Sequence, residues 1–177
     1  ISTITTEVKY IALKTPFITA LRRVEDIEFV RVSIECSDRS IGIGEAPATF
    51  AITGEDIETI LHSIKSIKDE LIGLQLQDAM TALHNSSIGS SAKASLDIAI
   101  LSLMGYFKLE NFESIKTDIT ISFNPKERML SDAKDALCRG MDILKVKLGK
   151  DINHAIEVTK EFSTKLQNAR LLIDANQ

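Results

Sequence analysis

Leu144-Lys145-Val146-Lys147-Leu148 alternates apolar and cationic side chains, and one helical stretch later Leu171-Leu172-Ile173 runs into Asp174-Ala175-Asn176. On a strand, successive side chains face opposite sides, so Leu144, Val146 and Leu148 share one face and Lys145 and Lys147 the other. Working outward, Asp118 to Phe123, Asp142 to Leu148 and Ala169 to Asp174 read as strands separated by helices. That alternation predicts parallel strands, as in a doubly wound sheet or a (β/α) barrel, and the chain ends at Gln177 before either closes. The first intervening helix is punctuated by Asn124 as N-cap, Pro125 at the first position, Glu127 at the third and Gly140 beyond its end. The second is expected from Asp151 to Leu166, with Ile152, Ala155, Ile156, Val158 and Phe162 as its apolar stripe.

The N-terminal region is organised differently. Val30, Val32, Ile34 and Cys36 alternate with Arg31, Ser33 and Glu35, the period of a half-covered strand in an antiparallel sheet. Glu7 to Leu13 and Ile41 to Ile43 read as its neighbours, joined by the turn at Ser37-Asp38-Arg39-Ser40. Ile57, Ile60, Leu61, Ile64, Ile67 and Leu71 then recur at helical spacing, with Thr53 and Asp56 as a capping box and Gly73 as a stop. Further helices are expected at Gln77 to His84 and Ala92 to Phe107. Strands first and helices second is α+β organisation. The expected division is residues 1–113 and residues 114–177.

The chain of 177 residues carries a formal net charge of -4. Such a chain offers no general attraction to nucleic acid or anionic lipid. No stretch has the length and apolarity of a membrane span, and the start lacks a signal-peptide pattern, so a cytoplasmic setting is expected. The absent initiator Met points to trimming. Cys36 and Cys138 have no metal-like spacing and are expected to be buried thiols rather than a disulfide. His62, His84 and His154 show no ligand spacing and are expected at the surface or on helix flanks. No phosphate-cradling glycine loop, zinc cluster or nucleophile elbow is present.

The chemistry-bearing candidates are Lys145, Lys147 and Asp174. Two ammonium groups on one enclosed face repel each other and lose solvation, which lowers their pKa values unless anions lie nearby. A lysine so perturbed can act as a base near neutral pH. The plainer alternative is an edge strand whose lysines point at water. For Asp174 the alternative is a turn or helix N-cap residue. What favours chemistry is position, because a carboxylate closing one parallel strand beside a Lys-x-Lys strand sits at the end where barrel active sites lie.

With those residues in view, the chain resembles the muconate-cycloisomerase-like branch of the enolase superfamily, and within it the dipeptide epimerases of the L-Ala-D/L-Glu type. The resemblance covers nearly the whole chain. It rests on the Lys-x-Lys strand, on Asp174-Ala175-Asn176, and on Lys14-Thr15-Pro16-Phe17 through Ala20-Leu21-Arg22. Gly44-Glu45-Ala46-Pro47, Ile52-Thr53-Gly54-Glu55, Ser91-Ala92-Lys93-Ala94 and Thr117-Asp118-Ile119-Thr120-Ile121 extend it. It implies an α+β capping domain, residues 1–113, followed by the first βα units of a (β/α) TIM-type barrel, residues 114–177. It also implies an Mg²⁺-dependent isomerase that removes a proton α to a carboxylate through an enediolate.

By the same resemblance, Lys147 is the base, and Lys145 lies beside the substrate carboxylate and depresses the pKa of Lys147. Asp174 is the first of three metal ligands, and Thr120 contacts substrate. Arg22 pairs with a carboxylate of the dipeptide, unless it is a surface charge paired with Glu25. Loops near Thr19 and Ala51 are expected to close over the ligand. Ser102 replaces a usual Asp, and the stretch from Gly105 to Thr117 is shorter than in relatives, so the junction between the domains is expected to differ.

The expected partner is a small dipeptide, with no nucleic acid and no membrane, and homo-oligomerisation stays open. The other metal ligands and the second lysine lie outside this sequence, so the isolated 177-residue chain is expected to be inactive. Muconate cycloisomerase, o-succinylbenzoate synthase and a non-catalytic truncated chain remain alternatives.

Overall fold

The computed structural model describes residues 1–20, 22–107 and 114–175. The expected boundary between residues 113 and 114, and the motif residues Leu21 and Asn176, lie partly or wholly outside the described residues. Among the described residues no helix is long and apolar enough to cross a membrane. The chain divides into two compact units, Ile1–Ala12 with Asp26–Phe112, and Leu13–Glu25 with Glu113–Gln177.

In the first unit, β1 (Thr3–Ile18), β2 (Arg23–Glu35) and β3 (Ile41–Pro47) form an antiparallel sheet in that order. Both β1 and β2 run longer than the alternating stretches predict, and their connected ends, Leu13–Glu25, belong to the second unit. Val30, Val32 and Ile34 are fully buried, as their alternation predicts. Cys36 lies past the end of β2 and is only half-buried, and Cys138 is exposed, so neither is the buried thiol expected.

Helices α1 (Phe50–Thr53), α2 (Ile57–Leu71), α3 (Leu76–Asn85) and α4 (Ser90–Leu103) follow. The capping box of α2 is formed by Asp56 and Thr59, whereas Thr53 closes α1. Asp56 wins because its carboxylate reaches the Thr59 amide at 2.8 Å. Ile60, Ile64, Ile67 and Leu71 form the buried stripe of α2.

Helix α4 packs on β3 backbone to backbone. A Cβ on Gly44 would stand 1.8 Å from the Ser95 carbonyl oxygen, and one on Gly42 would stand 2.1 Å from that of Ala99. The Gly44-Glu45-Ala46-Pro47 motif is therefore read here as a packing requirement. Glu55, only 7% exposed, supplies a carboxylate cap to α4 from a distance. It accepts from the Ser91 amide at 2.8 Å, the Ser90 hydroxyl at 3.0 Å and the Ala92 amide at 3.4 Å. Burial pushes its pKa up, but these hydrogen bonds outweigh burial and hold the carboxyl below its usual range. Lys93 bonds the Ser86 and His84 carbonyls at the end of α3. The Ile52-to-Glu55 and Ser91-to-Ala94 motifs thus meet each other.

The second unit holds β4 (Ile119–Ile121), α5 (Lys126–Cys138), β5 (Ile143–Lys147), α6 (Ile152–Lys165) and β6 (Arg170–Asp174). Its sheet is parallel in the order β4-β5-β6. The N-cap of α5 is Pro125 and not Asn124. Leu144 and Val146 are fully buried against Met129, Ala133, Ala136, Val158 and Phe162. In α6 the buried stripe is Ala155, Val158 and Phe162, while Ile152 and Ile156 are exposed. The expected five-residue stripe was too wide, because only one narrow face of α6 meets the sheet.

Candidate active site

Because Leu144 and Val146 are turned towards the helices, Lys145 and Lys147 occupy the opposite face of β5. The parallel register aligns Thr120 of β4 with Lys145, and Lys147 with Asp174 of β6. Register partners in a sheet project to the same side, so all four share the uncovered face. Lys147 Nζ lies 2.5 Å from Asp174 Oδ2, and Lys145 Nζ lies 3.3 Å from the same oxygen. The side chains of Lys147, Asp174 and Lys145 are 12%, 28% and 39% exposed, so the trio is deepest at Lys147. Asp174 also fixes the strand ends, its carbonyl accepting from the Leu148 amide at 2.9 Å.

The lysines therefore have the anionic partner that the sequence alone leaves open. A single carboxylate oxygen holds two ammonium groups against their mutual repulsion, and the cluster sits at the C-terminal end of adjacent parallel strands. Asp174 is the last residue of β6.

Thr120 stands one strand away, at a groove of about 830 Å³ beside β4. Thr15, Pro16, Ile18 and Arg23 of the β1–β2 hairpin and Arg128 of α5 line the same groove. The hairpin is fastened to β4, the Phe123 amide donating to the Ile18 carbonyl at 3.0 Å.

Arg22 occupies the hairpin connection, where Thr19 N donates to the Arg22 carbonyl at 2.9 Å and Arg22 N donates to Thr19 Oγ1 at 3.2 Å. Its side chain is exposed and enters no ion pair among the described residues. Glu25, the partner weighed for it, is taken instead by Arg23 at 2.7 Å. The structure thus brings Lys145, Lys147 and Asp174 together, aligns Thr120 beside them, and leaves the Arg22 guanidinium outside that cluster.

One contact at this end of the sheet escapes sequence reasoning. His154 lies half-buried in the first turn of α6, the helix flank expected for it, and among the described residues its two shielded ring nitrogens have no hydrogen-bond partner. Its ring meets Phe123 edge-on, with centroids 5.3 Å apart and planes at 74°. The only signal was an aromatic just after β4 and a His in the first turn of α6, and spacing alone cannot pair them.

No family model matches the chain. The L-amino acid-D/L-Glu epimerase of Sulfurimonas denitrificans is 50% identical over 184 residues, covering 98% of this chain and 54% of that protein. The substrate-liganded L-Ala-D/L-Glu epimerase from Bacillus subtilis matches with a TM-score of 0.88 at 31% identity, over 100% of this chain and 54% of that one. The dipeptide epimerase from Methylococcus capsulatus, complexed with Mg and L-Arg-D-Lys, matches with a TM-score of 0.89 at 26% identity, over 99% of this chain and 54% of that one. The chain spans about half the length of the relatives it matches. On this sequence identity and shared architecture, the chain belongs to the enolase superfamily, alongside the dipeptide epimerases.

Proposed function

We propose that the protein carrying this chain is a magnesium-dependent dipeptide epimerase, with residues 1–113 as capping domain and residues 114–177 as the opening strands of a (β/α) barrel. The observation that carries the reading is the Lys145–Asp174–Lys147 cluster at matching ends of parallel strands. Relatives that cover nearly all of the chain are dipeptide epimerases, which supports the reaction class.

In this reading Lys147 Nζ takes the proton from the α-carbon of the dipeptide's C-terminal residue. Its low exposure supports that role, since a shielded base competes less with water. Lys145 lies beside the substrate carboxylate and stabilises the charge that grows there as the proton leaves. Thr120, in register with Lys145, contacts the substrate, and Arg22 pairs with a dipeptide carboxylate.

Asp174 suits magnesium as one hard oxygen donor. Among the described residues no group of three or more His, Cys, Asp or Glu is placed to hold an ion; the resemblance to the dipeptide epimerases is what assigns further ligands to other parts of the protein. Bound magnesium supplies neutralisation of negative charge on the substrate carboxylate. A cytoplasmic setting and a homo-oligomeric assembly belong to the same proposal.

The test is to incubate the complete protein with L-Ala-L-Glu and magnesium in D₂O. Deuterium should appear at the glutamyl α-carbon together with the D epimer. No exchange, with turnover of a muconate or a succinylbenzoate precursor instead, replaces the epimerase reading with that of a cycloisomerase or synthase. No turnover of any of these leaves the non-catalytic reading.

A further inference from the structure

We propose that Phe123, Gly149 and His154 form a packed positioning clamp that holds the β5–α6 connection, and through it Lys147, in its place against Asp174. The inference rests on the epimerase reading only where it speaks of turnover. Its structural part stands on geometry alone.

Gly149 follows Lys147 by two residues and does not adopt a positive φ, so its backbone makes no demand for glycine. Space makes the demand. A Cβ there would stand 2.4, 2.7 and 3.0 Å from three carbons of the Phe123 ring. The connection after β5 therefore lies against that ring. The same ring meets His154 in a T-shaped pair at a centroid distance of 5.3 Å. His154 is held in turn by the first turn of α6, where Asp151 accepts from the Asn153 and His154 amides at 2.8 and 3.4 Å. Phe123 is itself anchored where its backbone amide donates to the Ile18 carbonyl. Phe123 thus meets the residue after Leu148 and the start of α6 through its ring, and the hairpin through its backbone.

The contact that His154 makes with Phe123 is ring on ring, so its part in the clamp is one of shape. This makes Phe123 and His154 positioning residues. A small displacement of a reacting group lowers turnover more than it lowers binding.

The experiment uses the complete protein and two readouts. One is kcat and KM for α-proton exchange of L-Ala-L-Glu. The other is backbone hydrogen exchange across residues 148–150, which is read whether or not any dipeptide turns over. Gly149→Ala should lower kcat by about 10- to 100-fold with KM within about twofold, and should speed amide exchange. Adding Phe123→Leu to Gly149→Ala should restore much of both, because the smaller side chain makes room for the methyl group. His154→Phe should keep kcat within about twofold, and His154→Ala should not.

His154→Phe proving as damaging as His154→Ala would overturn the clamp, because a role in hydrogen bonding or proton transfer would then be required. Unchanged amide exchange in Gly149→Ala would overturn it too. A wild-type protein that exchanges no dipeptide proton sinks the epimerase reading instead, and the amide-exchange results still decide the clamp.

Discussion

Lys147 and Asp174 are register partners on adjacent parallel strands, and their charged groups meet at 2.5 Å with Lys145 3.3 Å from the same carboxylate oxygen. Sequence separation of this pair is spanned by a whole αβ unit, so the contact exists only if both strands run parallel and in this register. The arrangement ties the fold of the second unit to its chemistry: a shift of β6 by one residue would turn Asp174 to the helix side and leave two ammonium groups facing each other.

Replacing Lys147 by Met keeps the aliphatic stem and removes the amine. In the complete protein, α-proton exchange of L-Ala-L-Glu should fall by roughly 10²- to 10⁴-fold, the range for loss of a positioned general base. Far-UV circular dichroism should be unchanged, because the buried face of β5 is made by Leu144 and Val146. Retention of wild-type exchange would exclude Lys147 as the base.

Arg22 provides a specificity test. Its exposed guanidinium has no protein partner to lose among the described residues, so Arg22→Met should leave stability nearly unchanged. A charge-assisted bond to a dipeptide carboxylate is worth roughly 1.5–3 kcal/mol, or about 10- to 150-fold in kcat/KM. That loss should appear with acidic dipeptides. Equal losses for L-Ala-L-Glu and L-Ala-L-Leu would show that Arg22 does not read the side-chain carboxylate, and no loss with either would remove it from the site.

The parts of this fold that were legible in the sequence are those set by alternation. Val30, Val32 and Ile34 on β2, and Leu144 and Val146 on β5, are buried as period-2 reading requires. Lys145 and Lys147 fall on one face for the same reason. What alternation cannot carry is contact across the chain. Asp56 rather than Thr53 caps α2 because hydrogen-bond reach decides between two suitable residues. The full length of β1 and β2 was missed because their connected ends pair and pack as a hairpin with mixed composition. The ring contact of His154 with Phe123 is of this kind, and nothing local in either segment signals the other.

Gly44 illustrates a motif whose cause emerges only from packing. A methyl group there would collide with the Ser95 carbonyl, which is backbone and cannot rotate away. Gly44→Ala should therefore force β3 and α4 apart and destabilise the protein by about 1–3 kcal/mol or more, read as a lower denaturation midpoint with unchanged m-value. Gly54 is the control, since an added Cβ there meets nothing within 4 Å and only its positive φ of 72° opposes substitution. Its alanine variant should lose about 1–2 kcal/mol, the cost of left-handed backbone for a residue with a Cβ. Equal effects at the two sites would mean that close approach is not what Gly44 serves.

Glu55 sets a pH dependence whose sign follows from its hydrogen bonds. Its pKa is held below the usual value of 4.5 in the folded chain, because the donors at the start of α4 favour the charged form more than burial opposes it. The unfolded chain therefore binds this proton more readily than the folded one. The stabilisation is complete above the unfolded value and is lost as pH falls through the lower folded value. Glu55→Gln keeps the shape but not the charge, so it should destabilise the protein by roughly 1–3 kcal/mol near neutral pH. The gap between wild type and variant should close as pH falls from about 5 towards about 3, since protonation turns the wild-type carboxylate into a neutral group as well. Denaturant titrations across that window check it. A gap that stays constant with pH would mean that Glu55 holds α4 through shape and not through its charge.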